Sequence, residues 1–255
     1  MPGQNQRLTV IAGLALWLCL VGTASAADVR LAIAANFTDT GNELMAAFTE
    51  ATGLEASASF GSTGKLYAQI LHGAPFDVFL AADRQRPERL ENEGLGVKET
   101  RFTYARGRLV LWSPTPGVLD APEAWLASGT FARLAIANPK TAPYGLAARE
   151  VLSRLGLWES LQQRLVRGDS IAQTFQFVAT ANAQAGFVAL SQVRAWHQKN
   201  GSLWLIPPDH YSPINQQAIL LTRGEQNAAA HQWLDFLHSD TARNIIERYG
   251  YDTPN

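Results

Sequence analysis

The sequence predicts an α/β protein built from mainly parallel sheets with helices packed against them. Short apolar segments with the period of a strand alternate along the chain with segments of helical period, the order typical of βαβ units. Several of the helical segments end at a glycine, as helices commonly do. The 255 residues are 47% hydrophobic and 17% charged, which is sufficient for the core of one large or two smaller domains.

The predicted strands cover residues 29–34, 54–60, 77–81, 109–112, 134–137, 187–190, 202–206 and 218–221. The predicted helices cover residues 37–51, 65–72, 84–93, 144–155, 171–180, 227–238 and 241–249. In the first helix, apolar residues recur at helical spacing up to Ala51, and Gly53 then ends the helix. Asp83 and Ser170 are expected to cap the helices that follow them.

Two stretches are candidates for places where the chain crosses between domains. Residues 102–108 are extended, and Pro207, Pro208 and Pro213 interrupt all regular structure. Two α/β lobes joined end to end, or one lobe inserted into the other, are both compatible with this pattern.

The first 26 residues predict a signal peptide. Residues 1–7 carry one positive charge, residues 8–23 are uncharged, and Ala-Ser-Ala at 24–26 provides the small residues that a signal peptidase reads. We expect cleavage near Ala26 and export to the periplasm. An uncleaved anchor is the alternative, but the apolar run is slightly shorter than the ~20 residues of a spanning helix.

The charge balance and the single cysteine exclude several functions. The sequence has 21 lysines and arginines and 22 aspartates and glutamates, with no cluster of basic residues. A nucleic-acid-binding protein needs such a cluster to contact phosphates, so this class is excluded. Bulky Trp17 and Leu18 precede Cys19, which is unlike a lipoprotein signal. Because cleavage would remove Cys19, the mature chain would have no disulfide and no thiol chemistry.

The turn Gly61–Lys65 resembles a nucleotide phosphate loop but lacks two of its residues. Leu66 stands where that loop needs a serine or threonine for the metal, and Ser59 occupies the place of its first glycine. What remains is a pair of hydroxyl residues at the start of a helix, whose free N–H groups favour an anion. Taken alone, the turn is better interpreted as an ordinary N-cap.

Enzyme and metal motifs are mostly absent from the sequence. It contains neither Gly-x-Ser-x-Gly nor His-Glu-x-x-His. His231 and His238 lie close enough to share a helix face, and a solvated face is the favoured interpretation. No two tyrosines are adjacent, which disfavours a ferric-ion site.

Five segments together resemble the periplasmic molybdate-binding proteins of ABC transporters, and the resemblance extends over essentially the whole mature chain. The run Gly73–Asp83, with sequence GAPFDVFLAAD, is the most specific of them. The other segments are Ala34–Phe37, Phe60–Leu66, Ala135–Pro139 and Arg248–Tyr251.

This resemblance implies a two-lobed type II periplasmic binding protein with a ligand cleft between the lobes. Lobe I would comprise residues 27–107 and 214–255, and lobe II, residues 108–213, would be inserted into it. Such a protein is a carrier and not an enzyme, and it uses no cofactor. It is expected to be a monomer that captures molybdate, and the nearly isosteric tungstate, for the membrane permease of an ABC transporter.

The resemblance also implies which residues bind the ligand. Asn36 and Ser62 would contribute from lobe I, and Tyr144 and Ile171 from lobe II, through uncharged hydrogen-bond donors. No residue would coordinate a metal directly, because the molybdenum is bound as its oxyanion. Many members place a tyrosine where this chain has Ala189, so the Tyr144 hydroxyl is expected to take over that role.

Three alternatives remain open on the sequence alone. The closest is a binding protein for another oxyanion such as sulfate. A ferric-ion carrier of the same fold would need a tyrosine cluster, and a secreted hydrolase would need a nucleophile and a base that the sequence does not reveal.

Overall fold

A computed structural model describes residues 27–197 and 201–254, which form two five-stranded sheets flanked by helices. The strands are β1 (Val29–Ala34), β2 (Ala56–Gly61), β3 (Val78–Ala81), β4 (Phe102–Gly107), β5 (Leu109–Ser113), β6 (Leu134–Ala137), β7 (Leu165–Gly168), β8 (Ala185–Ala189), β9 (Ser202–Leu205) and β10 (Ile214–Leu220). The helices are α1 (Thr38–Thr52), α2 (Thr63–Leu71), α3 (Gln85–Asn92), α4 (Pro122–Ser128), α5 (Pro143–Arg154), α6 (Trp158–Leu161), α7 (Ile171–Ala179), α8 (Leu190–Ala195), α9 (Ala228–Leu237) and α10 (Asp240–Arg248). Within these ranges no helix is long and apolar enough to cross a bilayer. The predicted signal peptide, with Cys19, lies outside the described residues.

The two sheets share one plan. The first has the strand order β2-β1-β3-β10-β4 and the second β7-β6-β8-β5-β9. In each sheet four strands run in one direction and a single strand, β10 or β5, runs against them. The prediction of mainly parallel α/β sheets is therefore confirmed.

The reversed strands are the ones that the chain enters as it passes from one sheet to the other. Only Arg108 separates β4 of the first sheet from β5 of the second, and β10 follows the Pro-rich stretch after β9. The two segments that connect the sheets lie side by side. Ile214 pairs with Gly107, and the Ile206 N–H donates to the Leu109 carbonyl at 3.2 Å.

Two of the predicted elements need correction. Strand β10 begins at Ile214, four residues before the predicted start. The prediction started late because Asn215, Gln216 and Gln217 are polar and give no apolar alternation. Leu190 begins helix α8 instead of ending a strand. The short elements α4, α6, α8 and β7 are absent from the prediction, since segments of four to seven residues carry too little periodicity.

The cores of the two sheets meet at the carboxyl ends of the strands. Ala34 and Ala35, which end β1, and Ala82, which follows β3, pack in the same buried apolar cluster as Tyr144 and Ile171 beside the second sheet. Ligands of open α/β sheets bind at this end of the strands. The packing therefore brings together the loops that carry the residues expected to bind.

Candidate oxyanion site between the two sheets

The four residues expected to bind lie at the beginnings of four helical segments, each the next one along the chain after a strand. Asn36 lies in the 3-10 turn after β1, Ser62 is the N-cap of α2, and Tyr144 and Ile171 lie in the first turns of α5 and α7. All four are buried, with exposed fractions of 1% to 4%. The first N–H groups of a helix have no partner within it, so this place is rich in free donors.

Hydrogen bonds join the helices and loops of the two sheets across the candidate site. The Gly64 N–H of α2 donates to the Thr141 carbonyl ahead of α5 at 2.8 Å. The Ser191 hydroxyl of α8 donates to the Asn36 carbonyl at 2.9 Å. The structure therefore shows the two sheets closed over the candidate site.

Of the buried hydroxyls with no hydrogen-bond partner among the described residues, two belong to residues expected to bind. They are Ser62 Oγ and Tyr144 Oη. A buried polar group left unpaired costs about 1–3 kcal/mol, so such groups call for an explanation. A bound acceptor would satisfy both.

Ser62 differs from the other N-cap residues of its kind in the described chain. Ser170, Asn227 and Ser239 each accept a hydrogen bond from a backbone N–H of their own helix. Ser62 accepts none, although α2 begins directly after it. The interpretation of Ser62 as an ordinary N-cap is therefore wrong for its side chain.

The Tyr144 hydroxyl reaches the crossing between the sheets. Its ring lies against Gly107, the last residue of β4, where an added Cβ would overlap Tyr144 Oη and lie 2.9 Å from Tyr144 Cζ. Burial raises the pKa of Tyr144 well above the usual 10.0. The hydroxyl therefore keeps its proton at physiological pH and can donate it.

Asn36 is held by partners within the protein. Its Nδ2 donates to Gln216 Oε1 at 2.8 Å and to Tyr251 Oη at 3.0 Å. Its carbonyl accepts from Tyr251 Oη at 2.8 Å, besides the Ser191 hydroxyl. In this arrangement both side-chain N–H hydrogens of Asn36 are used within the protein.

Charged side chains lie only at the margin of the site. Lys65 Nζ pairs with Asp169 at 2.8 Å, and the two side chains are 51% and 71% exposed. Asp83 and Arg86 pair with each other. Asp77 is the only buried acidic or basic residue that the structure describes, and it accepts from the Arg30 N–H near the opposite end of the strands. The site is thus built from neutral donors.

Residues 29–252 match the family of bacterial extracellular solute-binding proteins. The chain belongs to this family. The family and the fold class expected from the sequence motifs are therefore confirmed.

Relatives of this solute-binding protein are similar over nearly its full length. The molybdate-binding protein ModA of Azotobacter vinelandii is 51% identical over 246 residues, covering 96% of each chain. ModA of Rhodobacter capsulatus is 48% identical over 240 residues, covering 94% of each. The structure of the periplasmic molybdate-binding protein of A. vinelandii superposes with a TM-score of 0.86 at 40% identity, covering 89% of this chain and 100% of that one.

A more distant likeness shows the fold alone. The sulfate-binding protein SubI of Mycobacterium tuberculosis has a TM-score of 0.74 at 13% identity and covers 89% of this chain. The choice of ligand in this solute-binding protein must therefore be argued from its own donors.

His231 and His238, the two histidines of this solute-binding protein that could share a helix face, make contacts with other partners. His231 Nε2 lies 2.8 Å from the Glu225 carbonyl, and His238 packs on Phe102 with ring centroids 4.0 Å apart. Over the described residues no group of three or more His, Cys, Asp and Glu side chains could hold a metal ion.

Gly107, Gln216 and Tyr251 are parts of the site that sequence reasoning missed. Tyr251 stands in one of the motifs that carried the resemblance, which was a usable signal. Gln216 lies between the Pro-rich connection and the predicted strand 218–221, in residues assigned to no element, and Gly107 carries no side chain. Only the fold of this solute-binding protein brings them to Tyr144 and Asn36.

Proposed function

We propose that this protein is a periplasmic carrier that captures molybdate between two lobes and delivers it to the membrane permease of an ABC transporter. The lobes are residues 27–107 with 214–255, and residues 108–213. The observation that carries the proposal is the pair of buried, unpartnered hydroxyls, Ser62 Oγ and Tyr144 Oη, within a closed and neutral site. The ModA names of the two relatives that are about half identical support the choice of ligand.

The chemistry of the site suits a dianion whose oxygens only accept hydrogen bonds. Molybdate is fully ionised at neutral pH, so a donor with no nearby acceptor satisfies it best. The two hydroxyls and the N–H groups of Asn36 and Ile171 are such donors, and helix N-termini add partial positive charge. A matching cation is then unnecessary, and the ligand can be released when the lobes part.

The same proposal makes the protein a carrier and not an enzyme. It would be exported after cleavage near Ala26, act as a monomer, and need no cofactor. The molybdenum would enter and leave as its oxyanion, without direct coordination by the protein. Membership of the solute-binding family supports this assignment.

Calorimetric titration of the purified mature protein with molybdate, tungstate, sulfate and phosphate tests the proposal. We expect tight binding of molybdate and of tungstate, which is nearly the same size. Sulfate has shorter bonds and would leave fixed donors underfilled. Tight binding of sulfate with none of molybdate would refute the proposal.

Ser62→Ala should weaken molybdate binding by about 10-fold to 100-fold. It removes one hydrogen bond to a charged ligand, worth about 1.5–3 kcal/mol. The matched control is Ser59→Ala, because Ser59 is exposed on the neighbouring strand β2 and should leave the affinity unchanged. Equal affinities for the two variants would show that the Ser62 hydroxyl does not bind molybdate.

Tyr144→Phe should also weaken molybdate binding, mostly through faster release, by about 1.5–3 kcal/mol. The variant deletes the hydroxyl and keeps the ring and the N–H, so it separates a donor role from simple packing. Stopped-flow release measured beside calorimetry is the appropriate test. Parent-like affinity would leave Tyr144 with only its backbone N–H as a donor.

A further inference from the structure

Gln216 is a fully buried side chain of β10 to which no role has been assigned. Its Oε1 accepts from Asn36 Nδ2 at 2.8 Å and from Tyr104 Oη at 3.3 Å. Its Nε2, by contrast, has no hydrogen-bond partner in the described part of the chain. The amide oxygen of Gln216 is therefore paired twice, while its amide nitrogen is unpaired.

The unpaired Nε2 borders the same small space as the unpaired Tyr144 hydroxyl. Both atoms lie against Gly107, where an added Cβ would lie 3.1 Å from Gln216 Nε2 and would overlap Tyr144 Oη. A donor and a hydroxyl able to accept, both unpaired, therefore lie against the same glycine. Polar contacts of a binding site commonly tighten when its ligand is present.

We propose that Gln216 is a positioning residue, whose Nε2 donates to Tyr144 Oη so that the hydroxyl directs its own hydrogen to the bound oxyanion. The inference rests on the proposed function. The bonds that Asn36 and Tyr104 donate to Oε1 fix the orientation of this amide, so the atom that faces Gly107 is Nε2, which can only donate. A hydroxyl that accepts from this amide has its single hydrogen free for a different acceptor, and a dianion is the strongest acceptor at hand.

The next residue provides a matched control. Gln217 is also buried, but both ends of its amide are paired. Its Oε1 accepts from Arg101 Nη1 at 2.9 Å, and its Nε2 donates to Thr103 Oγ1 at 3.1 Å. A substitution there removes a buried amide of the same kind without reaching Tyr144.

The test is a double-mutant cycle read by calorimetry with molybdate. Gln216→Met and Gln217→Met are each made in the parent and in Tyr144→Phe, and the ligand-free melting temperature is recorded for all. We expect Gln216→Met to weaken binding about 10-fold more in the parent than in Tyr144→Phe, because the part of its effect that passes through the hydroxyl is absent from the second background. The lost contact between Gln216 Oε1 and Asn36 Nδ2 acts alike in both backgrounds and cancels from this comparison. Gln217→Met should lower the melting temperature while changing the affinity by less than about 2-fold.

An equal loss in both backgrounds, or no loss in the parent, would overturn the inference. Should Gln216→Met fail to fold, Gln216→Glu keeps the shape and the Oε1 contact but replaces the donor by an acceptor. That variant should lose at least as much affinity as Ser62→Ala, and parent-like binding by it would equally overturn the inference. If the parent binds sulfate and not molybdate, the proposed function fails, and the same cycle run with sulfate still tests Gln216.

Discussion

Gly107→Ala should weaken molybdate binding by at least about 100-fold. Gly107 does not have a positive φ, so its backbone conformation does not require a glycine. The lack of room for a side chain does. An added Cβ would overlap Tyr144 Oη and lie 2.9 Å from Tyr144 Cζ and 3.1 Å from Gln216 Nε2. Overpacking a tight site costs about 1–3 kcal/mol, and moving the Tyr144 donor adds about 1.5–3 kcal/mol.

The control for Gly107→Ala is Gly61→Ala, whose Cβ would make only ordinary contact with Leu66 at 3.4 Å. Calorimetry and thermal melting should show parent-like behaviour for Gly61→Ala. Combining Gly107→Ala with Tyr144→Phe should cost much less than the sum of the two, because the overlapping oxygen is gone. Additive losses would mean that Gly107 does not act through Tyr144.

Gly64→Ala should weaken molybdate binding by about 100-fold while leaving the ligand-free protein at least as stable as the parent. Gly64 lies in the first turn of α2, and a Cβ there would lie 3.0 Å from both the Cα and the carbonyl oxygen of Thr141, across the cleft. Closure would then cost about 1–3 kcal/mol of overpacking plus the 2.8 Å bond from the Gly64 N–H to Thr141.

The two effects of Gly64→Ala have opposite signs because they belong to different states. Alanine within a helix is favoured over glycine by about 0.5–1 kcal/mol, which acts in the open and closed protein alike. The contact with Thr141 exists only when the lobes are closed. Melting without ligand and calorimetry with molybdate separate the two, and a parallel fall in both would refute the explanation.

Much of the local structure could be predicted from short stretches of sequence. Strand β1 has the predicted bounds, helix α1 ends before Gly53 with φ 74°, and Ser170 caps α7 as expected. These features depend on neighbours within a few residues, so periodicity and capping rules reach them. The family likewise followed from contiguous runs such as Gly73–Asp83.

The sequence by itself thus determined the α/β class, most bounds of the longer elements to within two residues, the family and four candidate donors. Only the tertiary structure decided which side chains are satisfied, because those partners are distant in the chain. Asn36 and Gln216 are 180 residues apart and bond at 2.8 Å, and Gly107 borders Tyr144 only because the crossing strands meet α5 there. Ser62 had the sequence pattern of an N-cap, yet its hydroxyl is unpaired because the fold buries it in a closed cleft of donors. Pairing over such separations is set by how the two sheets pack, which no local rule encodes.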